Sequence, residues 1–472
     1  MAESGATEPL LSGLLVIFGI TGDLSRRYLL PSLYELDRAH LLPDEFEIIG
    51  ATRRGEEVPT ILAGITAELG RQGQAANQAA LERLGRRLRI ITLDPTHAAD
   101  QARLKKLLDD IEDERGVCLN RLFYLSTPPA IFGPVVDLLG SSGLNSGCKH
   151  GVADSRLMVE KPFGSNLASA TELVKRLHKS FKEEQIFRID HYLAKETAQN
   201  ILTFRFANPI FQTSWSREHI KAITITAAET IGIEGRVAFY ESVGALRDFV
   251  QNHLLQLLAI TTMAVPSVMD AAHIHAEKSQ LLEALAPIRP GEVGRLATRG
   301  QYRGYRAEVA NPDSFTETFA RLHLTINNDT WRGVPITLES GKRLNERSTT
   351  ITLVFCAADS REPANRLIFR IQPDEGITVE LLAKEPGLGN DTKPVDMTFT
   401  YATSFATKTQ PNAYERVLMD GIRGDQTLFT SSDEVLASWR IVEAVVEEWT
   451  KSGAGLITYE PGTPAAAVGQ SS

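Results

Sequence analysis

Cysteine is scarce in this chain: three among 472 residues, at positions 118, 148 and 356, with no CxxC spacing. That pattern argues against a disulfide scaffold or a structural zinc module and fits a reducing compartment, so cytoplasmic residence is expected and no metal is. Long apolar runs are also missing. The longest clean run, 14–20, falls far short of the ~20 residues that a membrane helix needs. The start is acidic and lacks the basic region of a signal peptide, so 1–13 reads as a short disordered tail, as does 461–472, which has nothing large to bury. Positive charge is in deficit, with 50 Lys and Arg against 59 Asp and Glu and a formal charge of -9. Neither nucleic acid nor an anionic membrane is then an expected partner, and any anionic ligand must be held by a local group of basic residues. What remains is ordinary: 43% hydrophobic and 23% charged residues, in a length that suits two or three domains.

Short apolar segments at 14–18, 46–51, 122–126, 157–159 and 186–189 alternate with helical spacing at 23–38, 101–113, 130–139 and 166–182. Buried strands separated by helices predict a parallel, doubly wound sheet. After about Asp190 the period changes. Segments 220–227, 318–326, 349–355, 367–371 and 377–382 alternate as half-buried strands do, with helices expected at 241–263 and 433–449 and a connecting loop at 290–314. The predicted fold is α/β plus α+β: a Rossmann-like coenzyme domain over 14–190, then a larger domain over 191–460 built on an antiparallel β-sheet with covering helices.

The first strand runs into Gly19-Ile20-Thr21-Gly22-Asp23-Leu24-Ser25, which opens a helix. Glycines permit a tight turn, the backbone can approach a pyrophosphate, and the helix N-terminus offers free N–H groups. The spacing is GxxGxxS rather than GxGxxG, and a simple strand–helix turn would look the same. After the second strand stand Arg53 and Arg54, where a site for NAD usually has an acid. Guanidinium groups suit a 2′-phosphate and hence NADP, although Glu56 and Glu57 are close enough in sequence to neutralise them.

The second cluster of chemistry begins at Arg188-Ile189-Asp190-His191-Tyr192, with Lys195 following. His191, Tyr192 and Lys195 supply donors that suit a phosphate monoester, and an ordinary capped helix start would need the same residues. In the helix from 241, His253 shares a face with Leu246, Phe249, Val250 and Leu257. Gln251, Asn252 and His253 place three polar side chains in a helix that should be buried, and such groups need partners, which a pocket provides. Glu229 and Asp248 lie in the same stretch of chain. The segment 341–347 is a basic turn, and Glu160-Lys161-Pro162-Phe163-Gly164 sits at the end of a strand, where α/β sheets place ligands.

Taken in order, GITGDLS, RLFYLSTPP, RLMVEKPFG, RIDHYLAKE, RFAN, ALRDFVQNHLLQ, RGQY, WRGVPI, SGKRLNER and NAYERVLMDGIRGD make the chain resemble the glucose-6-phosphate dehydrogenase family over roughly 14–450. The resemblance implies NADP-linked oxidation of the C1 hydroxyl of glucose 6-phosphate to the 1,5-lactone, in a homodimer or homotetramer assembled through the larger sheet. Carried over residue by residue, it makes His253 the general base and Asp190 its partner. It gives His191, Tyr192 and Lys195 the substrate phosphate and Lys161 both sugar and coenzyme. Glu229, Asp248, Lys342 and Arg347 fall to the sugar or its phosphate. The coenzyme falls to Gly19, Thr21, Gly22, Asp23, Leu24 and Arg53. The chain departs from the family pattern at Tyr28, where a lysine is usual, and at Ala194, Ser216 and Glu339. Loss of the lysine opens the alternatives of NAD as coenzyme or another hexose phosphate as substrate. A catalytically silent, regulatory homologue is the alternative from a different class.

Overall fold

The computed structural model describes residues 13–148, 153–357, 362–405 and 410–470. The chain divides into two compact units. The first takes residues up to Gly164, then Ala168–Ala194 and Pro411–Ser432; the second takes Ser165–Leu167, Lys195–Gln410 and the chain from Asp433.

In the first unit, β1 (Gly13–Phe18), β2 (Glu47–Thr52), β3 (Leu88–Thr92), β4 (Asn120–Leu125), β5 (Ser155–Val159) and β6 (Ile186–Ile189) pair in parallel in the order β6-β5-β4-β1-β2-β3. Every residue of β1 is buried. Leu15 and Ile17 join one apolar cluster, while Leu14, Val16 and Phe18 join the other. Successive side chains of a strand point to opposite faces, so a strand covered on both sides reads as an unbroken apolar run. The helices α1 (Leu30–Arg38, preceded by a π-type turn Ser25–Leu29), α2 (Val58–Arg71) and α3 (Gln78–Arg87) contribute to the first cluster, and α4 (Ala98–Arg115), α5 (Phe132–Ser141) and α6 (Leu167–Ser180) to the second. The pair α2 and α3 and the strand β3 were not anticipated from the sequence.

The second unit opens with α7 (Glu196–Ala207) and holds β7 (Ile220–Ala228), β8 (Ala297–Tyr302), β9 (Phe319–Leu324), β10 (Ile336–Gly341), β11 (Ser348–Phe355), β12 (Arg366–Gln372), β13 (Gly376–Lys384) and β14 (Thr392–Thr400). The chain then returns to the first unit for β15 (Phe429–Thr430), antiparallel to β6, and ends in the second with β16 (Leu456–Tyr459). The larger sheet runs β14-β13-β12-β11-β7-β10-β9-β8-β16 and is mostly antiparallel, with β7–β10 and β8–β16 pairing in parallel. A broken helix packs on β7, β9 and β10. It comprises Val237–Ala245, a π-type segment Leu246–Leu254 and Leu255–Thr262, with Gly244 at φ 66° marking the first break. Its last carbonyls are satisfied by side chains. Arg205 donates to Ile260 (2.7 Å) and Met263 (2.6 Å), Trp215 to Thr261 (2.7 Å), and Trp331 to Thr262 (2.7 Å). A helix end leaves such carbonyls without partners, so these three buried side chains anchor the helix that carries His253.

Five expectations are corrected. The segment 290–314 is not a plain connecting loop: it contains β8, whose ATRGQY sequence looks too polar for a buried strand until Arg299 is seen donating to the carbonyls of Trp449 (2.9 Å) and Ser452 (2.6 Å). The stretch 461–470 is not a disordered tail. Val468 is buried, and Arg321 donates to the carbonyls of Val468 (3.0 Å) and Ala465 (2.5 Å), so the segment satisfies a buried cation. At the other end, Gly13 already belongs to β1, and 1–12 lie outside the described residues. Residues 411–432 fall in the first unit rather than the second domain, because Arg156 donates to the carbonyls of Gly421 (3.1 Å) and Ile422 (3.0 Å) and Arg188 to the Ser432 hydroxyl (2.6 Å). Finally, Cys118 and Cys148 are joined as a disulfide with Cα atoms 5.6 Å apart, a pairing that spacing along the chain does not show. Among the described residues no helix is long and apolar enough to cross a membrane.

Candidate active site

In the first unit, the backbone after β1 makes a tight turn held by main-chain bonds. The amides of Gly19 (3.0 Å) and Ile20 (3.3 Å) donate to the Ala51 carbonyl at the end of β2, and Gly22 N–H donates to the Gly19 carbonyl (2.9 Å). Gly19 sits at φ 87°, and a Cβ there would run into the Ser126 carbonyl oxygen. Only glycine fits that conformation and that approach. Ser25 lies 3.0 Å from the Gly19 carbonyl oxygen and 2.8 Å from the Ser126 hydroxyl, tying the turn to the end of β4. Thr21 meets the Thr52 hydroxyl at 3.3 Å. Leu24 packs against the core, while Asp23 is exposed and 3.6 Å from Arg27. Arg53 and Arg54 are exposed, and among the described residues neither pairs with Glu56 or Glu57. A turn of this kind at the end of the first strand of such a sheet fits the dinucleotide of a nicotinamide coenzyme.

The same unit carries Lys161, Asp190, His191 and Tyr192 on the segments that follow β5 and β6. Asp190 is buried and accepts the Tyr192 backbone N–H at 2.8 Å, which fixes its carboxylate. His191 Nε2 lies 3.2 Å from Glu160 Oε2, and the other carboxylate oxygen of Glu160 accepts the Tyr124 hydroxyl at 2.6 Å. Burial pushes the Glu160 carboxyl up, but His191, Tyr124 and Lys161 together hold it below the ordinary value. The His191 ring rests on Tyr414 (centroids 4.1 Å apart), and Tyr28 stacks on Tyr414 (4.9 Å, 9° between planes). Tyr28 thus has an aromatic partner where the family pattern has a cation.

In the second unit the sequence candidates form two groups. Lys195 reaches the Gln372 side-chain oxygen on β12. Its ammonium is pushed down, mainly by burial, with Glu375 opposing and the Arg347 guanidinium adding to the effect. Lys195 and Arg347, 152 residues apart in number, therefore lie near enough to interact as like charges, an arrangement a dianionic phosphate would relieve. The other group surrounds Tyr240. The Lys342 ammonium pairs with Glu229 and lies 5.3 Å from the Tyr240 ring centroid. The Tyr240 phenol is raised well above its ordinary value, first by burial and then by Asp248, Glu317, Tyr459 and Glu229, which gathers Glu229, Asp248 and Lys342 around one ring. The turn bearing Lys342 is fixed by backbone bonds from Lys342 to Thr318 (2.9 Å) and from Leu344 to Glu229 (2.9 Å). His253 is 4% exposed, in the π-type segment, with its ring 5.5 Å from that of Phe249 at 74°. Gln251 is buried beside it, and Asn252 is half-buried, donating to the Arg247 carbonyl at 3.1 Å.

Glu160, Tyr414, Tyr240 and Gln372 were not singled out in the sequence. Glu160 and Tyr414 stood inside quoted motifs. Tyr240 and Gln372 carry no local signal, because their partners are far away in the chain. Glu339 is buried against Arg321 (2.7 Å) and accepts the Thr226 hydroxyl at 2.9 Å, which gives that departure a structural role.

Residues 16–200 match the model for the glucose-6-phosphate dehydrogenase NAD binding domain, and 202–470 match the C-terminal domain of the same family. The chain belongs to the glucose-6-phosphate dehydrogenase family. It is thereby an oxidoreductase of the CH–OH class with a nicotinamide coenzyme. A glucose-6-phosphate 1-dehydrogenase of Chlamydia pneumoniae is 41% identical over 92% of this chain and 89% of its own length. The enzyme of that name from Rhizobium meliloti is 39% identical over 95% and 93%. Among solved structures, a glucose-6-phosphate dehydrogenase in complex with glucose 6-phosphate superposes with a TM-score of 0.89 at 33% identity, covering 98% of this chain and 96% of its own. The Mycobacterium avium enzyme superposes at 0.82 with 34% identity, over 97% and 96%.

Proposed function

We propose that the protein oxidises the C1 hydroxyl of D-glucose 6-phosphate to 6-phospho-D-glucono-1,5-lactone with NADP. The observation that carries this reading is the gathering of Lys195 with Arg347, and of Glu229, Asp248 and Lys342 around Tyr240, in a chain of this family. Lys195 and Arg347, with His191 and Tyr192, hold the phosphate. Glu229, Asp248, Lys342 and Lys161 orient the sugar. His253 takes the C1 hydroxyl proton as its neutral imidazole, and Asp190 fixes the tautomer and stabilises the imidazolium that forms. The turn at Gly19, Thr21, Gly22, Asp23 and Leu24, with Arg53 and Lys161, would hold the coenzyme, which would supply the acceptor for the C1 hydride. The phosphate is remote from the reacting bond, so its binding energy serves to position that bond.

Arg53 supports NADP over NAD, because it is exposed and, among the described residues, pairs with neither Glu56 nor Glu57, its charge being felt instead by the Asp94 carboxylate. A homodimer or homotetramer is supported by β14, an edge strand that exposes Val395 (44%) and Met397 (62%), which a lone subunit would leave wet. Ligands whose phosphate charges confine them to the compartment that makes them support cytoplasmic residence, and the Cys118–Cys148 disulfide stands against it. Steady-state rates with glucose 6-phosphate, with other hexose 6-phosphates and with NADP or NAD test the whole reading. Turnover should be fastest with glucose 6-phosphate and NADP. No turnover of glucose 6-phosphate with either coenzyme would overturn it.

A further inference from the structure

We infer that Glu160 is a positioning residue for the substrate phosphate, acting through His191. The inference rests on the proposed function, in which His191 meets that phosphate. It begins with hydrogen-bond accounting around one imidazole. His191 Nε2 is held by Glu160 Oε2 at 3.2 Å, whereas Nδ1 is buried with no hydrogen-bond partner among the described residues. A buried ring nitrogen left unpaired is costly unless a ligand completes it.

The state of Glu160 decides what Nδ1 offers. Its carboxylate is 7% exposed and accepts from both His191 and Tyr124. As an acceptor it receives a hydrogen bond from the Nε2–H of His191. The neutral ring then presents a lone pair at Nδ1, which repels a phosphate oxygen. A second proton on Nδ1 turns the ring into an imidazolium that donates to Glu160 on one side and to the phosphate on the other. The carboxylate stabilises that cation, so binding the sugar phosphate as a dianion draws one proton from solvent onto Nδ1. Tyr414, whose ring lies 4.1 Å from that of His191 at a tilt of 36° and is itself backed by Tyr28, limits rotation of the imidazole and keeps Nδ1 aimed away from Glu160.

Among the described residues of this unit, the titratable groups on the elements around the ring are these. Glu160 and Lys161 follow β5, Tyr124 lies on β4, Tyr414 lies on the helix Ala413–Arg423, and Asp190 and Tyr192 flank His191 in the chain. Two variants then push in opposite directions. Glu160→Gln keeps an acceptor for Tyr124 but removes the charge that favours the imidazolium. Tyr124→Phe removes a donor from Glu160 and leaves the carboxylate a stronger partner for His191.

The test measures KM for glucose 6-phosphate against pH. In the wild type, KM rises at high pH as the imidazolium becomes harder to form. In Glu160→Gln, KM at neutral pH rises about tenfold, as expected when a charge-assisted hydrogen bond becomes a neutral one, and kcat falls by less. The break in the KM profile moves to lower pH in Glu160→Gln and to higher pH in Tyr124→Phe. In a His191→Gln background, Glu160→Gln adds no further rise in KM. Shifts of the two breaks in the same direction, or equal effects of Glu160→Gln with and without His191, would overturn the inference while the wild type still turns over. Lack of wild-type turnover is instead the failure of the proposed function.

Discussion

The turn that we propose for the coenzyme in the first unit and the groups that we propose for the sugar phosphate in the second are built by opposite means. The turn is backbone: Gly19, Ile20 and Gly22 set its shape through main-chain bonds, and the tight approach to Ser126 decides which residue fits. The groups around Tyr240 and Lys195 are side chains from distant segments, held by charge. A change in the turn should therefore act through sterics and be felt by the coenzyme. A change in the charged groups should act through pairing and be felt by the sugar.

The sharpest way to test this division is to remove a group that belongs to chemistry rather than to either binding half. His253→Asn should lower kcat by about a thousandfold with little change in KM for either ligand, since a general base contributes on that order. Near-wild-type kcat would remove His253 as the base. Gly19→Ala should raise the coenzyme KM by at least about tenfold, through strain at a positive φ and the clash with Ser126, while the sugar KM moves far less. Equal effects on both ligands would break the comparison. Arg53→Ala should weaken NADP by about tenfold, the worth of a charged phosphate contact, and leave NAD nearly unaffected, as seen in the ratio of kcat/KM values.

The smallest expected effect compares the two units in acid. Burial would raise both Glu183 and Glu434, yet each is held at about 2: Glu183 by Arg188, His178 and the Ser432 backbone, Glu434 by Lys278 and His275. A carboxyl lowered in the folded state adds stability above its unfolded value of 4.5, and that contribution is lost as pH falls toward 2. Thermal melting should drop steadily between about pH 4.5 and pH 2.5, and Glu434→Gln should flatten part of that slope. A melting temperature independent of pH in this window would refute the assignment.

What the sequence disclosed divides along the same line. β1 was plain as an apolar run, because both of its faces are covered. β8 was hidden, because Arg299 and Gln301 are buried polar residues whose partners lie elsewhere in the chain, among them the carbonyls of Trp449 and Ser314. The π-type segment around His253 left no trace in a pattern read at helical spacing. Lys195 and Arg347 could be named from motifs, but their proximity could not, since it depends on the register of β11 and β12. The Cys118–Cys148 pairing has no mark in the sequence either, because the two residues, 30 apart, meet only in the fold.

The return of residues 411–432 to the first unit has a consequence for how the protein is made. The ribosome delivers β1 to β6 early, then more than two hundred residues of the second unit, and only afterwards the helix and strand that complete the first sheet. At about 5–20 residues per second, the first unit waits on the order of ten to forty seconds with the edge of β6 open. An exposed strand edge is a template for mispairing, so this interval is when a nascent chain most needs shelter. A premature stop anywhere before 411 would thus cost both units at once, although it falls within only one of them.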